Sequence, residues 1–215
     1  MNDKNAIVDV IEYGMVIGKI KPDNIDLKSH YNSDYSGVIR LLEISEHGTA
    51  WRNNISSDTK RIISKVTNEV PFSLVNDKNT ISAHISQPLN SNYLLDYLEV
   101  SYKNFDPVKE SVLTRILNNL ISNESVKGIE TTERMLKTGT ELTAFAKIEK
   151  LPTTTSSSWL NAGPVMNYKI SEPSGNYSYI LTPLSRVALV DKLISTTKTL
   201  KIFLAVKHVF LIQVF

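Results

Sequence analysis

The chain has 215 residues, 41% hydrophobic and 21% charged, an ordinary globular composition with enough length to bury one sizeable core or two small ones. Its 24 basic and 22 acidic residues leave a net charge of +2 with no long single-sign block, which argues against a nucleic-acid partner. The chain contains no Cys, which excludes disulfides, a Cys nucleophile and every thiolate-ligated metal site.

The opening, MNDKNAIVDVIEYG, has neither the apolar stretch of a signal peptide nor the Arg-rich character of a transit peptide. From Ala6 to Pro22, short apolar runs interrupted by Gly14 and Gly18 predict strands with bulges. Asp23 to Ser36 reads as a loop. GVIRLLEISEHGTAWR then predicts a strand, a turn through SEHG, and a second strand from Thr49. NEVPFSLV and TISAHIS predict two strands joined by a turn at Asn76 to Asn79.

After FDP the apolar residues Val108, Val112, Leu113, Ile116, Leu117, Leu120 and Ile121 recur at helical spacing, with Asp106 as cap and Pro107 in the first turn. Glu130 to Lys137 predicts a short second helix, stopped by Gly139, and Leu142, Ala144, Ala146 and Ile148 then alternate as a strand. Leu151 to Pro164 reads as a low-complexity loop. VMNYKI and YSYILT predict a hairpin around SEPSGN, and Ser185 to Ser195 a helix. These elements predict an α+β fold: an antiparallel, barrel-like sheet with two or three helices, ending in a truncated membrane-helix-like segment.

That segment is Leu200 to Phe215, sixteen almost unbroken apolar residues, whereas a bilayer core takes roughly 20 in a helix. Lys201, Lys207 and His208 interrupt it, and Lys at a helix centre costs about 2.5 to 3.5 kcal/mol to insert. Three readings stay open: the first part of a transmembrane helix, a surface-lying segment, and a buried C-terminal helix or strand. The first sets the expected organisation, a domain over residues 1–195 and the start of a membrane helix over residues 196–215.

No residue declares a reaction. Ser45, Glu46 and His47 have the residue types of a catalytic triad, but sequence neighbours on a turn rarely meet its geometry. Glu43 and His47 are metal-ligand types that a strand-to-turn placement points apart. Gly14 and Gly18 make a GxxxG in a polar setting, which favours bulges over a membrane dimer face. Asn54, Asn123 and Asn176 begin N-x-S sequons. Trp51, Tyr102 and Phe105 read as core or half-buried aromatics, with interface anchoring as the alternative. No catalytic, cofactor-binding or metal-ligating residue is assigned.

Read together, five blocks are more specific: GVIRLLEISEHGTAW, TNEVPFSLV, QPLNS, YKNFDP and VKGIETTERMLKTGTELTAFAKI. In order and spacing they resemble the GIDE, or "beside a membrane", domain family of mitochondrial-anchored RING ubiquitin ligases. The resemblance runs from about Ile11 to Val206. It implies a protein of the mitochondrial outer membrane, with this domain facing the intermembrane space between two membrane helices. It also implies a cytosolic RING that holds two zinc ions and docks a ubiquitin-charged conjugating enzyme. Without Cys this chain cannot build that RING, so it is expected to be inactive by itself, to bind no cofactor, and to meet membrane and protein substrates or regulators. Val206 to Phe215 departs from the family's expected continuation and is expected to be intron-derived. The alternative is a stand-alone membrane-associated module that competes with the full ligase for partners.

Overall fold

The computed structural model describes residues 9–52, 55–108, 124–152, 165–185, 187–191 and 210–211. The chain divides into two compact units. The first comprises Met1–Asp26, Val70–Tyr97 and Lys137–Phe215, and the second Leu27–Glu69 and Leu98–Leu136. The fold is mostly β, which overturns the α+β expectation.

The first unit contains a closed five-stranded barrel built from β1 (Val10–Pro22), β5 (Phe72–Val75), β6 (Ile81–Ile85), β10 (Met166–Ser171) and β9 (Glu141–Lys150). β1 pairs antiparallel with β9 along one edge and with β5 along the other, and a parallel β6–β10 pairing completes the ring before β10 returns to β9. The interior holds Val16 and Ile20 of β1, Leu142, Ala144, Ala146 and Ile148 of β9, Leu74, Ala83, Ile85 and Ile170, all 3% exposed or less. A barrel this narrow has room for large side chains only if others are small. A Cβ on Gly18 would stand 3.0 Å from Leu74 Cβ and 3.1 Å from the Val75 carbonyl, so the GxxxG serves barrel closure. The bulge expected in β1 lies between Ile11 and Gly14.

β9 is buried on both faces because its outward residues are covered as well. Phe145 joins Met15, Ile180 of β11 (Ile180–Thr182) and Leu189 in a second cluster. Leu189 belongs to the helix at 187–191, the first part of the helix expected from Ser185; the Ser185 hydroxyl caps it by accepting from Ala188 N at 3.3 Å. Fully burying a Leu, Ile or Phe side chain contributes roughly 1.5–3 kcal/mol, so these two layers are the main source of this unit's stability.

β10 and β11 do not form the expected hairpin. Both pair antiparallel with β9, at Lys147–Lys150 and at Thr143–Phe145 respectively. Short 3₁₀ turns occupy Pro88–Asn90 and Leu94–Tyr97. In the C-terminal run, Phe210 and Leu211 are described, and they form β12, a short strand parallel to Gly14 and Met15. Among the described residues no helix is long and apolar enough to cross a membrane.

The second unit is an open half-barrel of β2 (Leu27–Lys28), β3 (Ser36–Arg52), β4 (Ile55–Glu69), β7 (Glu99–Pro107) and β8 (Glu124–Lys137), in the order β2-β3-β8-β7 with β4 also on β3. β3 runs unbroken for 17 residues through the segment expected to turn. Asp106 and Pro107 end β7, opposite Ile129 and Gly128, instead of starting a helix; the helix expected after them lies outside the described residues. Pro is tolerated there because it lacks only an N–H at the end of an edge strand. The helix expected at Glu130 to Lys137 is the second half of β8. Gly139 does adopt a left-handed conformation, φ 82°, but in the turn joining β8 to β9.

Candidate functional site

The most chemically organised surface lies on one face of the second unit. Because β3 is continuous, Glu43, Ser45 and His47 stand two residues apart and share a face, while Glu46 points the other way to Arg61 at 2.9 Å. His47 is register partner to Lys60 of β4. On β8 and β7, Glu130 lies opposite Phe105, and Thr132 opposite Lys103.

Glu130 is the hub. Its Oε1 accepts from Lys60 Nζ at 2.9 Å and its Oε2 pairs with Lys103 Nζ at 3.0 Å. Lys60 Nζ also lies 3.5 Å from Glu43 Oε1, which accepts from the Ser45 hydroxyl at 3.2 Å. The carboxylates are nearly buried while the ammonium groups reach water. Hydrogen bonds from Lys60 and then Lys103 hold the Glu130 carboxyl down at about 2, against the opposing effect of burial. The same bond holds the Lys60 ammonium above its usual range. His47 Nε2 is buried without a hydrogen-bond partner among the described residues, 3.6 Å from Glu130 Oε1. Its ring meets Phe105 edge-on, centroids 5.7 Å apart. Phe105 in turn lies over Gly128, where a Cβ would stand 2.5 Å from Phe105 Cζ and 2.6 Å from the Asp106 carbonyl.

A second carboxylate ties down a loop. Glu133, wholly buried on β8, accepts from the Ser29 hydroxyl, from the Ser101 hydroxyl at 2.6 Å and from His30 N at 3.0 Å. Burial alone would raise its carboxyl; these three donors, with the charge of Arg40, outweigh it and leave it below the usual range. The loop so fixed stacks Tyr31 on Tyr102, centroids 4.1 Å apart.

In the first unit Asp23 accepts from the Ser73 hydroxyl at 2.6 Å and pairs with His84 Nδ1 at 2.8 Å. The carboxylate sits between the other two groups, so the serine is tied to Asp23 and not to the imidazole that would activate it.

The structure therefore puts Glu43, Ser45 and His47 on one face, where Glu43 and His47 were expected to point apart, and turns Glu46 of the expected Ser45, Glu46 and His47 set away from it, while Lys60 bridges Glu43 and Glu130. Among the described residues no group of three or more His, Asp or Glu is placed to hold a metal ion. Trp51 and Phe105 are 51% and 44% exposed, so they are not core residues, whereas Tyr102 is half-buried. Asn176 lies in an exposed turn; Asn54 and Asn123 lie outside the described residues. Sequence reasoning missed Lys60, Lys103, Glu130 and Glu133, since it had no strand on which to place any of the four.

A family model described as an E3 ubiquitin ligase, GIDE, matches residues 43–211 and so takes in the Glu130 hub and every barrel strand but β1. The chain belongs to the GIDE family. It is 34% identical over 142 residues to the mouse protein named mitochondrial ubiquitin ligase activator of NFKB 1, and 33% identical over the same length to the human one. It is 27% identical over 140 residues to mitochondrial E3 ubiquitin protein ligase 1 of Drosophila melanogaster. These alignments cover 64–65% of this GIDE chain and 40% of each relative, so the matched region is well under half of those proteins. No solved structure matches the chain.

Proposed function

We propose that this chain is the recognition part of a mitochondrial E3 ubiquitin ligase: a GIDE domain that holds protein substrates or regulators while a RING, which it does not itself contain, directs ubiquitin transfer. The observation that carries this reading is the family match across residues 43–211 in a chain with no Cys. A RING requires Cys and His ligands for its zinc ions, and none of the former exists here, so no transfer step is derived through zinc. Two candidate hydroxyl nucleophiles point the same way, since Ser45 and Ser73 both donate to carboxylates. Placement at the outer membrane, facing the intermembrane space, belongs to the same proposal and is supported by the mitochondrial names of the relatives.

The test is a reconstituted ubiquitylation reaction driven by the full-length mouse relative and its own substrate. Added in excess, this chain should lower substrate ubiquitylation in proportion to its concentration while leaving discharge of the charged conjugating enzyme unchanged. Ubiquitin transfer by the chain alone, or no competition at saturating excess, refutes the proposal.

A further inference from the structure

The charge balance around His47 carries an inference that does not depend on the function proposed above. His47 lies against Glu130 of β8 and Phe105 of β7 and is register partner to Lys60 of β4; around them stand Glu43 of its own strand and Lys103 of β7, paired with Lys60 and Glu130 respectively, and the Asp58–Lys127 pair of β4 and β8. With a neutral imidazole, three carboxylates (Glu43, Asp58, Glu130) meet three ammonium groups (Lys60, Lys103, Lys127), and the cluster is neutral. The buried Nε2, unpartnered among the described residues, stands 3.6 Å from Glu130 Oε1, just beyond hydrogen-bond reach.

Protonation changes both facts. An imidazolium donates from both ring nitrogens, and imidazole is the side chain that exchanges its charge between about pH 5 and 8. A charged His47 closes on Glu130 Oε1, the oxygen that also accepts from Lys60, and leaves the cluster with one positive charge in excess, so the weakest-held ammonium group and not the one on the shared oxygen is expelled. Of the two lysines on Glu130, Lys60 keeps a second carboxylate in Glu43, whereas Lys103 is paired with Glu130 alone among the described residues and its side chain is 59% exposed. Water compensates the loss of Lys103 most cheaply. We propose that His47 is a pH-responsive latch: charged, it takes Glu130 and releases Lys103, loosening β7 and the Phe105 that β7 carries.

The test is amide hydrogen exchange on the full chain at about pH 7.5 and 5.5, corrected for the intrinsic rates. Protection of residues 101–106 of β7 should fall about twofold to fivefold on acidification, the worth of one exposed ion pair. In His47→Gln that change should vanish. Lys103→Met should show the lower protection at both pH values. Protection that does not change with pH in the unmodified chain, or that changes equally in His47→Gln, overturns the latch. Should His47→Gln fail to fold, imidazole nitrogen NMR of the unmodified chain decides. An Nε2 that becomes charged in step with β7 exchange supports the latch, and one that stays neutral at the lower pH overturns it.

Discussion

Glu130→Gln tests the claim that one carboxylate ties three strands of the second unit together. The folded protein holds the Glu130 carboxyl at about 2, below its ordinary 4.5, because hydrogen bonds from Lys60 and Lys103 favour the charged form. Taken at face value that difference is worth about 3 kcal/mol. Lys60 and Lys103 are 42% and 59% exposed, so water screens them and about 1–2 kcal/mol is the expected cost of the substitution at pH 7. The sign of the pH dependence follows from linkage. A carboxyl with a depressed folded-state value stabilises the fold fully above the unfolded value, and loses that contribution as pH falls toward the folded one. The gap between the two proteins should therefore be widest above about pH 5 and shrink by roughly half near pH 3. Urea unfolding at stepped pH, followed by circular dichroism, reads both numbers. A gap that is the same at pH 7 and pH 3 would refute the electrostatic account, and no gap at all would refute the hub.

Two further predictions concern the same unit. Glu133→Ala removes the acceptor for Ser29, Ser101 and His30 N, leaving buried donors unpaired, and should cost about 2–3 kcal/mol in urea unfolding, with Glu133→Gln recovering part of the loss. Gly128→Ala places a Cβ against the Phe105 ring and the Asp106 carbonyl; it should cost about 1–3 kcal/mol, and Phe105→Ala should rescue it only in part because the carbonyl remains.

The barrel was the legible half of this protein. In β9, Leu142, Ala144, Ala146 and Ile148 alternate because one face lines the interior, and the strands around Asn76 to Asn79 carry ordinary apolar runs. The half-barrel was legible only at the two ends of β3, where Val38, Ile39, Leu41 and Ala50 are buried, because much of the rest of its covered surface is polar. Glu43, Ser45 and His47 stand on β3 where apolar residues would mark a strand, so the segment read as a turn. Glu130, Thr132 and Glu133 did the same for β8, whose charged sequence then fitted helical spacing. β4 escaped for the opposite reason: nearly every residue is exposed, so neither period appears. Its remaining signal was its β-branched content, Ile55, Thr59, Ile62, Ile63, Val66 and Thr67. β10 and β11 were found as strands, but their shared partner β9 is set by long-range pairing that local turn chemistry does not encode.

A polar network in such a place is not explained by stability. Desolvating Glu43 and Glu130 costs what their lysines return, and a buried ion pair replaced by apolar groups of similar volume is often neutral or stabilising by about 1–4 kcal/mol, whereas removing one member alone is destabilising. The joint replacement Glu43→Leu, Lys60→Met, Lys103→Met and Glu130→Leu should therefore be at least as stable as the unmodified chain, while Glu130→Gln alone is less so. If the joint replacement proves less stable than the single one, the network is a source of fold stability and the desolvation argument fails. If it proves as stable as the unmodified chain but no longer competes in the ubiquitylation reaction, the charges are retained for recognition, because the fold does not need them.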